Sequence, residues 1–287
     1  MKLLTLNTHS LQEENDLQKL DWFVQTVCAQ RPDVIALQEV NQPVDAQSLS
    51  TRLPEDFAPA AGSSVPLKEG NHALRVAERL KVKGLPYSWT WLGVKLGYGK
   101  YDEGLALFRR DDPIRVTDCI LLSSRDDYQN WKTRKALGIR WGQDWFYTLH
   151  MGWWDDGEEP FAAQWQRLEE ALAEKKRGGR IWLLGDFNSP AGVRGEGYDL
   201  MARSGWLDTY CLADERQGSA TVEGAIDGWR DKASAGLRID HIWCSAPVSV
   251  RRSKVIFDGV RWPKISDHFG VVVETDGLDE RRRGDIQ

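Results

Sequence analysis

Cysteine is scarce and scattered. The four, Cys28, Cys119, Cys211 and Cys244, form no CxxC pair in 287 residues, which argues against a zinc site and leaves free thiols of a reducing compartment as the expected state. No segment approaches the ~18 consecutive apolar residues of a transmembrane helix. The opening MKLLTLNTHS has too short an apolar run for a signal peptide and reads as a strand, so a cytoplasmic chain with no membrane partner is expected. Basic residues are outnumbered, 38 Lys and Arg against 43 Asp and Glu for a net charge of −5. Proteins that neutralise a long polyanion carry a basic face, so this balance weighs against duplex DNA. Neither a Pro/Ser-rich linker nor an internal repeat divides the chain. We expect one domain over residues 1–275 and a polar tail at 276–287.

What the chain has is a globular balance, 41% hydrophobic and 28% charged, and enough length to bury a sizeable core. It also has 14 tryptophans, most of them expected in the core or at its edge. Strand-like runs recur at 3–6, 34–37, 87–92, 105–108, 116–122, 136–141, 146–149, 181–184, 239–244 and 270–274. Helical stripes cover 16–29, 72–82 and 160–175, the last closing on Lys175, Lys176 and Arg177 before Gly178, a charge order that suits a helix C-terminus. Many strand runs follow one another with no helix between. That predicts antiparallel or mixed sheets packed together with helices outside, an α/β chain of the α+β type rather than a doubly wound parallel sheet. The stretch 194–238 is expected to be irregular.

The polar residues collect at strand ends. Asn7, Thr8 and His9 follow the first run, Gln38 and Glu39 the second, His150 the seventh, Asp186 and Asn188 the eighth. Asp240 and His241 open IDHIW, and Ser266, Asp267 and His268 precede the final run. Taken singly, an Asp or Asn after a strand is a turn former and a lone His is a hydrogen-bonded structural group. Six such clusters in one chain point instead to one rim, where loops on a rigid scaffold carry chemistry. His241 follows Asp240 on a strand and should face the other way, in a structural role.

NTH at 7–9, QEV at 38–40, DEGLALF at 102–108, LH at 149–150, GDFN at 185–188, IDHI at 239–242 and SDH at 266–268 resemble, in order and spacing, the endonuclease/exonuclease/phosphatase superfamily. The resemblance spans nearly the whole chain. It implies a four-layer sandwich of two packed mixed β-sheets flanked by helices, and phosphoester cleavage dependent on a divalent metal, Mg²⁺ or Mn²⁺. Oxygen ligands suit such hard cations. By resemblance, Glu39 is the metal carboxylate, with Asn7 and Asp267 completing or orienting the ligand set. Asp186 is the base for the attacking water and Asn188 hydrogen-bonds the phosphate or that water. His268 contacts the phosphate, oriented by Asp240, and Glu103 with His150 resembles a second His–carboxylate dyad. Two dyads would make the site cationic.

Family branches cut DNA, phospholipids, phosphoinositides or small phosphorylated sugars. The acidic balance disfavours nucleic acid, and no lipid-directed amphipathic segment is evident. In HMGWWDDGEEPFAAQW, Trp153 and Trp154 could stack on a sugar ring or could merely cap the sheet. That run, with YSWTWLGVKLGYGKYDEG at 87–104, resembles the maltose 6′-phosphate phosphatase branch, whose partner is a small phosphorylated sugar. A nuclease using the same site and a catalytically idle binding module remain open alternatives.

Overall fold

The two faces of the first strand belong to two different cores. In the computed structural model, which describes residues 1–224, 229 and 236–276, strand β1 (Lys2–Asn7) turns Leu3 into one apolar cluster and Leu4 and Leu6 into another. Period-two alternation in a strand buried on both sides produces this division.

β1 sits inside a seven-stranded mixed sheet. Its neighbours are β2 (Val34–Pro43), parallel to it, and the antiparallel β13 (Gly270–Thr275). Beyond β2 come β4 (Tyr101–Arg110) and then β3 (Tyr87–Gly97), both pairings antiparallel. Beyond β13 come β12 (Val250–Ile256) and β10 (Ala213–Gln217). The second, six-stranded sheet runs β5 (Thr117–Leu121), β6 (Lys135–Trp141), β7 (Asp144–His150), β8 (Ile181–Asp186), β11 (Asp240–Cys244) and β9 (Leu207–Asp208). β7 and β8 are parallel and the other pairings antiparallel.

Between the sheets lie Leu3, Val34, Ala36, Leu107, Ile139, Phe146, Trp182, Leu184 and Val273. Each Val, Leu, Ile or Phe among them contributes about 1.5–3 kcal/mol of burial. Phe146 and Trp182 stack at 6.1 Å with rings 1° from parallel. On the outer face of the first sheet pack α1 (Asp16–Gln30) and α2 (His72–Val82), through Phe23, Val24 and Val27 and through Val76 and Leu80. On the outer face of the second lie α3 (Phe161–Gly178) and α4 (Gly197–Arg203), through Trp165, Leu168, Leu172 and Met201. The result is the four-layer sandwich that the sequence implies.

Two expectations fail. The stretch 194–238 carries α4, β9, a short helix α5 (Thr209–Leu212) and β10, elements too short for a periodic signal; 225–228 and 230–235 lie outside the described residues. β12 went unrecognised because VRRSKVI interrupts its apolar residues with four polar ones. The expected tail falls outside the described residues from 277 onward.

Strand direction assembles the site. The ends of β1 and β8 and the beginnings of β11 and β13 meet on one rim, because β13 runs antiparallel to β1 and β11 to β8. Registry places His150 and Asp240 on either side of Asp186. Beneath this rim the sheets are tied by a buried polar contact, Gln38 Nε2 donating to Thr148 Oγ1 at 2.8 Å.

Candidate active site

The motif residues converge on a cleft of about 410 Å³ lined by Glu39, Glu103, His150, Asp186, Asn188, Asp267 and His268. Gly185 permits this at the end of β8. Its φ is +156°, and a Cβ there would stand 2.0 Å from the Leu149 carbonyl oxygen, so no other residue lets β8 approach β7 so closely.

Glu39 sits on a bulge of β2, where the pairing with β4 shifts between Leu37 and Val40 and φ at Glu39 is +51°. Non-glycine residues hold this conformation at a cost of order 1–3 kcal/mol. The bulge leaves the Glu39 carbonyl to side chains of the NTHS segment, whose Thr8 N also donates to Gln38 O at 3.0 Å. Thr8 Oγ1 donates to Gln38 O at 2.9 Å, and Ser10 Oγ to Glu39 O at 2.7 Å.

Asn7 ties the two sheets' acids together. Its backbone-facing Oδ1 accepts from His9 N (3.2 Å), so its Nδ2 donates to Glu39 Oε1 (2.9 Å) and Asp186 Oδ2 (3.2 Å). Asn7 therefore orients the carboxylates rather than offering them its oxygen. Asn188, also left-handed at φ +46°, has its amide set by Trp229. The indole Nε1 can only donate, and it reaches Asn188 Oδ1 at 3.0 Å. Asn188 Nδ2 consequently donates to Met151 O (2.9 Å) and His150 Nε2 (3.1 Å), which places the His150 proton on Nδ1. Asp186 Oδ1 accepts from Asn188 N at 2.9 Å.

The histidines differ in charge. Burial opposes protonation of His268, but Asp240 and Asp186 outweigh it and hold its pKa well above the ordinary histidine value. Its Nδ1 is 3.0 Å from Asp240 Oδ2 and its Nε2 3.7 Å from Asp186 Oδ2. His150 goes the other way, kept neutral by burial and by Arg134, Lys95 and His268. His241 turns to the opposite face of β11, its Nε2 on Ser189 O at 3.1 Å.

The structure does not form the second dyad. Glu103 faces Lys95, Nζ to Oε1 3.2 Å, while His150 lies between Glu39 and Asp186, at 3.8 and 3.5 Å. The bulge on β2 brings Glu39, not Glu103, up to His150. The positive charge expected of a cationic His150 comes instead from Lys95 and Arg134, both buried in the cleft wall. Trp153 lines the cleft beside Trp131 (ring centroids 5.9 Å). Trp154 does not; it packs on Phe161 at 6.4 Å, on the α3 side of the sheet.

Sequence reasoning missed Lys95, Arg134, Trp131 and Tyr98. Lys95 carried a signal, a lone charge in a long apolar strand one ladder step from Glu103. Arg134 lies in the loop before β6, where no pattern points.

The carboxylates fit a hard cation. Glu39 Oε2 is buried with no hydrogen-bond partner, and such an orphaned oxygen needs a cation to offset it. Burial, with Glu103 and Asp267 adding repulsion, raises the Glu39 pKa to about 7. Burial and Asp240 raise Asp186 to about 6 against the pull of His268. Ligand atoms of Asp186, Asp240 and His268 lie within 4.8 Å of one another, as do those of His9, Glu13 and Asp267.

A model of the endonuclease/exonuclease/phosphatase family matches residues 4–268. The chain belongs to that family. As a family member it is a metal-dependent phosphoric ester hydrolase working with a divalent cation. Among solved structures it is similar to an endonuclease/exonuclease/phosphatase family protein from Leptotrichia buccalis, at 28% identity, TM-score 0.82, over 96% of this chain and 100% of that one. It shares its fold with a mannosyl-6-phosphatase of Bacteroides thetaiotaomicron (21% identity, TM-score 0.64, 96% and 100% covered). A truncated TDP2 of Caenorhabditis elegans shares the same fold (17%, 0.61, 96% and 97%). No curated protein sequence matches the chain. No helix among the described residues is long and apolar enough to cross a membrane.

Proposed function

We propose that this family member is a phosphatase of small phosphorylated sugars, maltose 6′-phosphate among them, with Mg²⁺ or Mn²⁺ as the ion. The observation that carries the reading is Trp131. It is 53% exposed yet lines the cleft beside Glu39, Asp186 and His268, and its loop is tied down on both sides. Asn130 Nδ2 donates to Glu158 Oε1 and Lys132 Nζ to Asp156 Oδ1, each at 2.9 Å. A flat apolar face held open next to carboxylates suits a pyranose ring, whose hydroxyls need acceptors. That one protein sharing this fold is a mannosyl-6-phosphatase supports the reading. The net charge of −5 disfavours a nucleic-acid substrate.

In this reading Glu39 and Asp267 hold the ion and Asn7 orients Glu39 toward it. The ion, when bound, polarises the phosphoryl group and neutralises developing charge. Asp186, fixed by Asn7 and Asn188, takes the proton of the attacking water. The His268 imidazolium, held by Asp240, donates to a phosphate oxygen, and Asn188 positions water or phosphate beside it. Residues 1–275 act as one catalytic domain. A cytoplasmic location agrees with the free thiols of Cys28, Cys119, Cys211 and Cys244.

The test is phosphate release from sugar phosphates, nucleotides and abasic DNA, with Mg²⁺, with Mn²⁺ and after chelation. The reading expects the highest kcat/KM on a sugar phosphate and none after chelation. A preference for DNA would overturn the substrate class.

A further inference from the structure

Among the described residues, every cation of the cleft but one stands against a carboxylate. His268 has Asp240 and Lys95 has Glu103. Nearby, Lys132 has Asp156 and Lys135 has Asp126. Arg134 is 3% exposed, and among the described residues its guanidinium meets no carboxylate at ion-pairing distance. Its Nε has no hydrogen-bond partner. Glu103, Glu39 and Asp186 attract it from farther off, and burial still lowers its pKa.

The placement is built. Arg134 N donates to Ser123 Oγ at 2.8 Å, and its carbonyl accepts from Leu122 N at 2.9 Å. Ser123 Oγ is bound in turn to Lys132 O. The guanidinium lies beside the Trp153 ring, Cζ 5.9 Å from its centroid, an attraction that helps hold a cation without neutralising it.

A buried guanidinium without a counter-ion, opening on a cleft, is half of an ion pair whose other half arrives with the ligand. We infer that Arg134 binds the phosphate of the substrate through its planar fork, and that this favours a dianionic phosphomonoester over a diester. The fork matches two terminal phosphate oxygens, which a lysine ammonium cannot do. A monoester brings a second negative charge for the uncommitted cation, whereas a diester brings one charge in all. The inference rests on the phosphoester hydrolase assignment and is independent of the sugar.

The test uses inorganic phosphate as the probe, titrated calorimetrically into the Mg²⁺-loaded protein. Arg134→Ala should weaken phosphate binding by ~10²-fold, as expected for truncating one partner of a desolvated charge pair, and added guanidinium should restore part of it. Arg134→Lys, which preserves charge and folding but not the fork, should recover less affinity than wild type. In parallel, kcat/KM of Arg134→Ala, which removes the charge, should fall further on an aryl phosphate monoester than on a bis-aryl diester, while Arg134→Lys, which keeps the charge, should retain more of the monoester preference. Unchanged phosphate affinity in a folded variant overturns the binding role; equal losses on monoester and diester overturn the preference. A failed sugar-phosphate screen would leave both measurements standing, so the two readings fail separately.

Discussion

His268 Nδ1 stands 3.0 Å from Asp240 Oδ2, with both side chains buried. Burial alone would discharge the imidazole; Asp240 and Asp186 reverse this and raise its pKa. A raised pKa means that the imidazolium persists through neutral pH and is lost as pH rises through the folded-state value. Asp240→Asn removes the nearer attraction, so the alkaline fall of the pH–rate profile should move to lower pH. His268→Ala should lose ~10²–10⁴-fold in kcat at every pH, more than Asp240→Asn loses at its optimum. An alkaline limb that stays in place in Asp240→Asn would show that the pair does not govern the charge.

Asp186→Asn keeps the shape and one acceptor oxygen, for Asn188 N, gives up the oxygen that accepts from Asn7 Nδ2, and removes the proposed base. The expected result is a fall in kcat of ~10²–10⁴-fold with KM little changed and a melting point near wild type. Wild-type kcat in this variant would exclude Asp186 as the base.

Glu39 links metal to pH. Its folded pKa of about 7 lies above the ordinary 4.5, so the metal-free folded state binds more protons than the unfolded chain between those values. Stability of the chelated protein should therefore fall as pH rises from about 4.5 to about 7. A cation competes with that proton for the same carboxylate, so stabilisation by Mg²⁺ should be larger at the alkaline end of the window. Melting curves with EDTA and with Mg²⁺ across the window check the sign. Glu39→Gln should remove the Glu39 share of the pH dependence, leaving the part that Asp186 contributes below about 6, and should remove most of the metal response.

Much of this site was legible because its chemistry is carried by strand ends. Asn7 and Asp186 sit where an apolar run stops and Asp240 where one begins, and strand direction alone brings them to one rim. The Glu103–His150 dyad misled because spacing along the chain cannot reveal a bulge; the shift in β2 at Leu37–Val40 moves Glu39 into the place where Glu103 was expected. Trp153 and Trp154 were indistinguishable in sequence, since adjacent residues leaving a strand take opposite sides according to a loop's path. Arg134 and Trp131 gave no signal because loop residues have no period.

Trp131, Trp153 and Trp154 separate the sugar platform from packing. Trp131 is half exposed and tethered through its loop, so Trp131→Ala should leave the melting point almost unchanged. If it stacks on a sugar ring, the loss is roughly 1–3 kcal/mol by analogy with base–aromatic stacking. That corresponds to a rise of about tenfold to a hundredfold in KM for a disaccharide phosphate, with kcat retained, because binding common to ground and transition states is what has been removed. An aryl phosphate, which has no sugar, should be hydrolysed as before. Trp153 supports the Arg134 guanidinium and packs toward Val222 and Ile239, so Trp153→Ala should impair both substrates. Trp154→Ala should lower the melting point through its lost contact with Phe161 and leave both KM values alone. Equal losses on sugar and aryl phosphates in Trp131→Ala would remove the support for a sugar platform.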